Sequence, residues 1–198
     1  MSAPAIRHAA TWWLWMATQL LVLALFTAQI QFSSRFPPPI EDSAAAAVLA
    51  VQVTLVILLN TALLPDYRAA VAAGAGGVVV LLTAELLAGQ RAGEAFWPLL
   101  LLFAWLLALV KRISPKIQAL LAVLTLAGPA ILWAAAEAGT SGRSFALWAF
   151  SPPVGAITTS LHFPSHLTAF ALPLTLILGK FLQNQGLRIS LRHRPAAG

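Results

Sequence analysis

Glu85, Glu137, His162 and His166 are the residues whose types and placement could do chemistry in this chain. Glu85 lies in the apolar run Val78–Leu87, about one turn inside the expected end of a long hydrophobic segment. An ionisable group there is costly and by default marks a pathway, a partner or a proton site. The plainer reading is that the helix ends earlier and the carboxyl sits among lipid headgroups. Glu137 falls at a similar depth in another segment; if the two segments pack together, the carboxylates could share a proton or a cation. His162 and His166 are four apart, a spacing that on one helix would put both imidazoles on the same face, as a metal or haem needs. Pro164 lies between them, Ser165 looks like a helix cap, and no carboxylate or Cys stands nearby. Histidines near a helix start, at an interface, are the plainer reading. The chain has no cysteine, which excludes a thiolate metal site, a disulfide and a Cys nucleophile. It carries no Walker motif, HExxH, GxSxG or Asp-rich cation motif. No catalytic, cofactor-binding or metal-binding residue is therefore assigned, and no cofactor is expected; the four residues stand as candidate polar sites.

The elements that must position them are hydrophobic blocks. Hydrophobic residues make up 60% of the 198 and charged residues 9%, against about 25% charged in a soluble domain; mean hydropathy is +0.84. So few charges cannot clothe a water-facing surface. A bilayer crossing needs about twenty apolar residues, and the chain offers about six such spans: residues 12–32, 44–64, 69–88, 96–110, 117–136 and 165–182. The fold class expected is all-α, a polytopic transmembrane helix bundle forming a single integral membrane domain over 1–198. Gly128-Pro129 should kink the fifth span and Pro173 the sixth. Gly74, Gly76 and Gly77, with Ala70 and Ala73, give the third span a small-residue face suited to close helix packing. Gln19, Gln29, Gln52, Thr54, Asn60 and Gln118 can hydrogen-bond between helices or line a polar path; packing is the plainer reading. The apolar segment 139–164 is broken by Pro152-Pro153. It reads either as a re-entrant pair of half-helices or as a helix lying flat in the interface.

Charge sets the orientation. With the N-terminus in the cytoplasm, Arg7, Arg68, Lys111, Arg112, Lys116, Lys180, Arg188, Arg192 and Arg194 fall inside, and Arg35, Arg91 and Arg143 outside. The bias holds for alternate loops, as an even number of spans with both termini inside requires. The first segment is read as an uncleaved anchor, because its apolar run is long and Thr27-Ala28-Gln29 is a poor cleavage site. Trp12, Trp13 and Trp15 read as an inner interfacial belt, and Trp97, Trp133 and Trp148 as outer anchors. The net charge of +6 thus reads as helix anchoring, and no nucleic-acid partner is expected. The basic tail Arg188–Arg194 suits anionic inner-leaflet lipid.

Six spans, both ends inside and a broken element before the last span resemble the membrane subunit of an ABC-2-type exporter. The resemblance covers the layout of the whole chain; the short Pro65–Arg68 turn and the few residues before Trp12 depart from it. It implies a permease that pairs with a second copy or another membrane subunit and with a separate cytoplasmic ATPase, and that moves a hydrophobic or amphipathic substrate outward; the compact, Ala-rich and loop-poor style suggests a bacterial cytoplasmic membrane. The alternative expectation is a non-catalytic accessory or assembly subunit of a larger membrane complex. An enzyme using the four polar sites near the outer face is the least favoured reading.

Overall fold

Long runs of Leu and Ala with few breakers favour helix, and helix is what they form. The computed structural model describes residues 3–32, 43–87, 95–111, 113–137, 151–160 and 166–192, and among them there is no strand. The order is α1 (Ala3–Phe32), α2 (Ser43–Leu58), α3 (Asn60–Leu63), α4 (Tyr67–Leu87), α5 (Phe96–Leu109), α6 (Pro115–Leu126), α7 (Gly128–Glu137), α8 (Pro152–Ser160), a 3-10 turn (His166–Phe170) and α9 (Ala171–Arg192). The all-α expectation holds. Of the six expected spans, α4 is the one continuous helix among the described residues that is long and apolar enough by itself to cross a membrane.

The apolar segments 44–64 and 117–136 form interrupted helical rods. Hydrogen bonds of helical spacing run through the α2–α3 junction, Leu59 N to Leu55 O and Leu63 N to Leu59 O, both 2.8 Å. The α6–α7 rod breaks at Ala127 for a local reason: Pro129 has no N–H to give the Thr125 carbonyl. The bonds resume at once, with Ile131 N donating to Ala127 O at 3.0 Å.

Helix starts follow local chemistry. Asp66 caps α4, its Oδ1 accepting from Ala69 N at 2.8 Å. Ser114 caps α6 through Ile117 N at 3.4 Å, with Pro115 in the first turn where its missing N–H costs nothing. Between α5 and α6, Lys111 takes a left-handed φ of 64°, a conformation that costs a non-glycine residue about 1–2 kcal/mol. Its ammonium lies 4.7 Å from the Tyr67 ring centroid, a contact that offsets part of that cost.

α2 is the hub. It packs on α1, α4, α5 and α6, and most extensively on α8. The core joins Trp15 of α1, Leu49, Val53 and Val56 of α2, Leu81 of α4, and Leu101, Leu102 and Trp105 of α5. The outer faces are as apolar as the core. Leu14, Leu21 and Leu25 on α1, Val71 and Val79 on α4, Leu100, Phe103 and Leu107 on α5, Leu120 and Val123 on α6, and Leu174, Leu178 and Phe181 on α9 are all exposed.

α8 is held at its start by one close approach. A Cβ built on Gly128 would lie 2.7 Å from Ser151 Oγ and 2.8 Å from Ser151 Cβ, so the glycine is what lets the chain enter α8 against the α6–α7 rod. Gly128→Ala is expected to destabilise the bundle by about 1–3 kcal/mol through overpacking. Adding Ser151→Gly, which removes both obstructing atoms, should restore most of that, and adding Ser151→Ala should not. A double-mutant cycle on reversible unfolding in detergent measures this.

Candidate functional site

The described interior holds seven buried polar or charged residues: Gln19, Gln52, Asn60, Glu85, Thr125, Ser151 and Thr159. Thr125 and Thr159 are satisfied within their own helices, their hydroxyls donating to Leu121 O and Gly155 O at 2.7 Å. The others lie where helices meet.

The best-defined group joins three helices. Gln52 Nε2 donates to Gln19 Oε1 at 2.7 Å and to the Gly77 carbonyl at 2.9 Å. Gln19 Nε2 donates to Trp15 O at 3.1 Å. The two carbonyls can only accept, so they fix which end of each amide is nitrogen. Glycine lets the partners in: a Cβ on Gly77 would stand 2.9 Å from Leu102 Cδ2 and 3.3 Å from Trp15 Cη2, and one on Gly76 3.0 Å from Met16 Sδ. The small-residue face of α4 is thus a packing seam for α1 and α5. Trp15 is correspondingly 0% exposed while Trp13 is 68% exposed. This corrects the reading of Trp12, Trp13 and Trp15 as one interfacial belt: the groove over the two glycines takes the third indole into the core.

Glu85 is 1% exposed, and α4 continues past it to Leu87. It extends the buried stripe of Ala73, Gly77, Val80, Leu81 and Ala84, so its carboxyl faces the bundle interior, not a frayed helix end. It is the one buried ionisable residue among the described ones. Glu137 closes α7, and His166 opens the 3-10 turn. Their side chains, and the whole of His162, lie outside the described residues. The helix neighbours of α7 are α6 and α8, whereas α4 packs on α1, α2, α3 and α5. Among the described residues no group of three or more His, Cys, Asp or Glu could hold a metal.

α8 begins in the interior. Pro152 and Pro153 occupy its first two positions, so two of the N–H groups that a helix start strands do not exist. Gly155 N donates to Ser151 O at 2.8 Å. Ser151 is buried, and its hydroxyl has no hydrogen-bond partner among the described residues; the same holds for Gln52 Oε1, Trp15 Nε1 and Asn60 Nδ2.

One end of the bundle is basic, and three contacts assemble it. His8 Nδ1–H donates to Ala62 O at 2.8 Å, tying the start of α1 to the end of α3. Lys111 over Tyr67 ties the end of α5 to the start of α4. Lys180 Nζ donates to Val110 O at 2.8 Å, tying α9 to the end of α5. At the opposite end the Trp97 and Phe170 rings meet edge-on at 6.1 Å. Charge bias marks the basic end in the sequence, but nothing there signals the Lys180–Val110 bond, which depends on Val110 turning extended beyond α5 (ψ 137°). No family model matches this chain, and no curated protein or solved structure matches it.

The arrangement can bridge helices by hydrogen bonds, and it brings together no nucleophile with a base and no acid–base pair among the described side chains. Gln52→Leu should strand Gln19 Oε1 in the core and cost about 1–2 kcal/mol. Gln19→Leu combined with Gln52→Leu should cost less than Gln52→Leu alone, because neither amide is then left half-paired. Unfolding in detergent followed by circular dichroism checks both.

Proposed function

We propose that this chain is a multi-pass integral membrane protein in which six helical rods cross the bilayer with both termini on the cytoplasmic side. One observation carries the reading: the helices around the α2 hub, α1, α4, α5, α6 and α9, each expose an apolar stripe, while the exposed charged side chains among the described residues, Asp66, Arg68, Lys111 and Lys116, all lie at the basic end. In water such stripes would be an association hazard; in lipid they are the solvent-facing surface. The α2–α3 rod and the α6–α7 rod reach about 30 Å at 1.5 Å per residue, the thickness of a hydrocarbon core. The helix ends tied together by His8, Lys111 and Lys180 are the ones that the charge bias assigns to the cytoplasm, which supports that orientation.

Within the membrane reading, α8 supports the re-entrant alternative over a flat interfacial helix. Its start lies against Gly128, about 20 Å along the rod from Pro115, well inside the hydrocarbon depth. Broken helices that begin at mid-depth are the means by which transport proteins bring backbone to a substrate. We therefore read the chain as the permease-type subunit of an exporter, working with another membrane subunit or a second copy and a separate ATPase.

The second reading, a non-catalytic assembly subunit, is favoured by the filled core around Trp15, Leu49, Leu102 and Trp105. Purification of the tagged protein in mild detergent from its own membranes, with mass spectrometry of co-purifying chains, separates the two. The permease reading expects a stoichiometric nucleotide-binding subunit. A large complex without an ATPase would overturn it in favour of the assembly subunit.

A further inference from the structure

α6 and α9 both lean on the bundle without packing extensively on each other, and a half-open groove of about 290 Å³ lies between them at the basic end. Ile113, Ser114 and Ile117 form one wall; Leu176, Gly179, Lys180 and Gln183 form the other. This volume is at the lower edge of small-molecule sites, about 300–1,000 Å³: room for a headgroup or part of an acyl chain, but not for a helix.

The chemistry of the walls selects the occupant. The end nearest the turn is cationic and donor-rich. Lys180 is partly buried and held in place by its bond to Val110 O, and the neighbouring Lys111 charge adds a smaller repulsion. Ser114 and the first turn of α6 add the positive end of a helix dipole. Asp66, the described carboxylate at this end, is engaged in capping α4. An anion would relieve the repulsion between the two lysines. The other end of the groove is apolar, lined by Ile117 and Leu176 one turn further from the basic end. A fixed cation at one end and apolar walls at the other match a molecule that is anionic at its head and aliphatic behind it.

We propose that this groove binds one anionic phospholipid, its phosphate beside Lys180 and Ser114 and the start of an acyl chain against Ile117 and Leu176. The proposal rests on the membrane reading above and deepens it. Gly179 is the residue that keeps the groove open: a Cβ built there meets nothing within 4 Å. A larger side chain at 179 therefore enters the groove without disturbing the helix or the charges.

The test uses the full chain reconstituted in phosphatidylcholine nanodiscs, supplemented with phosphatidylglycerol, and counts retained lipids by native mass spectrometry after mild release. The expected result is one phosphatidylglycerol held in preference to phosphatidylcholine. Lys180→Gln should weaken that preference about fivefold, the worth of one basic charge at a lipid surface. Gly179→Leu should abolish retention while leaving the helical spectrum and thermal stability intact; this variant keeps the test decisive if Lys180→Gln fails to fold. Equal retention of the two lipids, or retention undiminished in Gly179→Leu, overturns the groove assignment and leaves the membrane reading standing. A wild-type chain that does not enter nanodiscs at all overturns both.

Discussion

The two hydrogens of one buried amide hold the centre of this structure. Gln52 gives one to Gln19 on α1 and the other to the Gly77 carbonyl on α4, and it does so from the helix on which most of the others pack. Where the surroundings are as apolar as the helices themselves, burial of Leu and Val gives no preference for one helix neighbour over another. Association then depends on close packing and on interhelical hydrogen bonds. The glycines of α4 supply the close packing, because they admit Trp15 and Met16 from one side and Leu102 and Phe103 from the other. The bond and the seam sit at the same residue: Gly77 gives its carbonyl to Gln52 and, lacking a Cβ, leaves room for Leu102 and Trp15.

The basic end is built on a different constraint. Lys111 adopts a left-handed conformation beyond α5, and Val110 before it is extended, so the Val110 carbonyl leaves the helix ladder and becomes available to Lys180. A strained turn residue thereby adds a tie between α9 and α5 next to the groove beside α6. The same turn brings Lys111 to Tyr67, so the start of α4 and the end of α5 meet beside the middle of α9. Cations that a hydropathy profile treats as punctuation are here structural ties.

Much of this was legible in the sequence, and the parts that were not share a cause. The extent of α4 and α5 follows from their apolar runs and from Pro65-Asp66 and Pro98. α1 begins at Ala3 and α9 runs to Arg192, well beyond the apolar spans, because Ala, Gln and Arg favour helix without being hydrophobic. Hydropathy marks where a helix is greasy, not where it stops. The start of α6 at Pro115, two residues before the expected Ile117, was signalled by the Ser114-Pro115 pair. Trp15 was misread from its neighbours Trp12 and Trp13; its spacing of four from Gln19 was the clue that it shares a face with a buried amide. The proximity of Ser151 to Gly128 and of Lys180 to Val110 could not be read at all, since each joins segments more than twenty residues apart through backbone geometry.

The central claim is that the exposed apolar stripes face hydrocarbon and that the basic end faces the cytoplasm. The cysteine-free sequence makes this directly measurable with single cysteines at Lys116, Arg143 and Leu178, probed in intact cells with a membrane-impermeant maleimide. With this orientation Arg143→Cys reacts from outside, Lys116→Cys reacts only after the membrane is opened, and Leu178→Cys, on a side chain 57% exposed, reacts only after denaturation. Rapid labelling of Leu178→Cys in the native state would contradict it, because a stripe open to water cannot be the face that lipid covers.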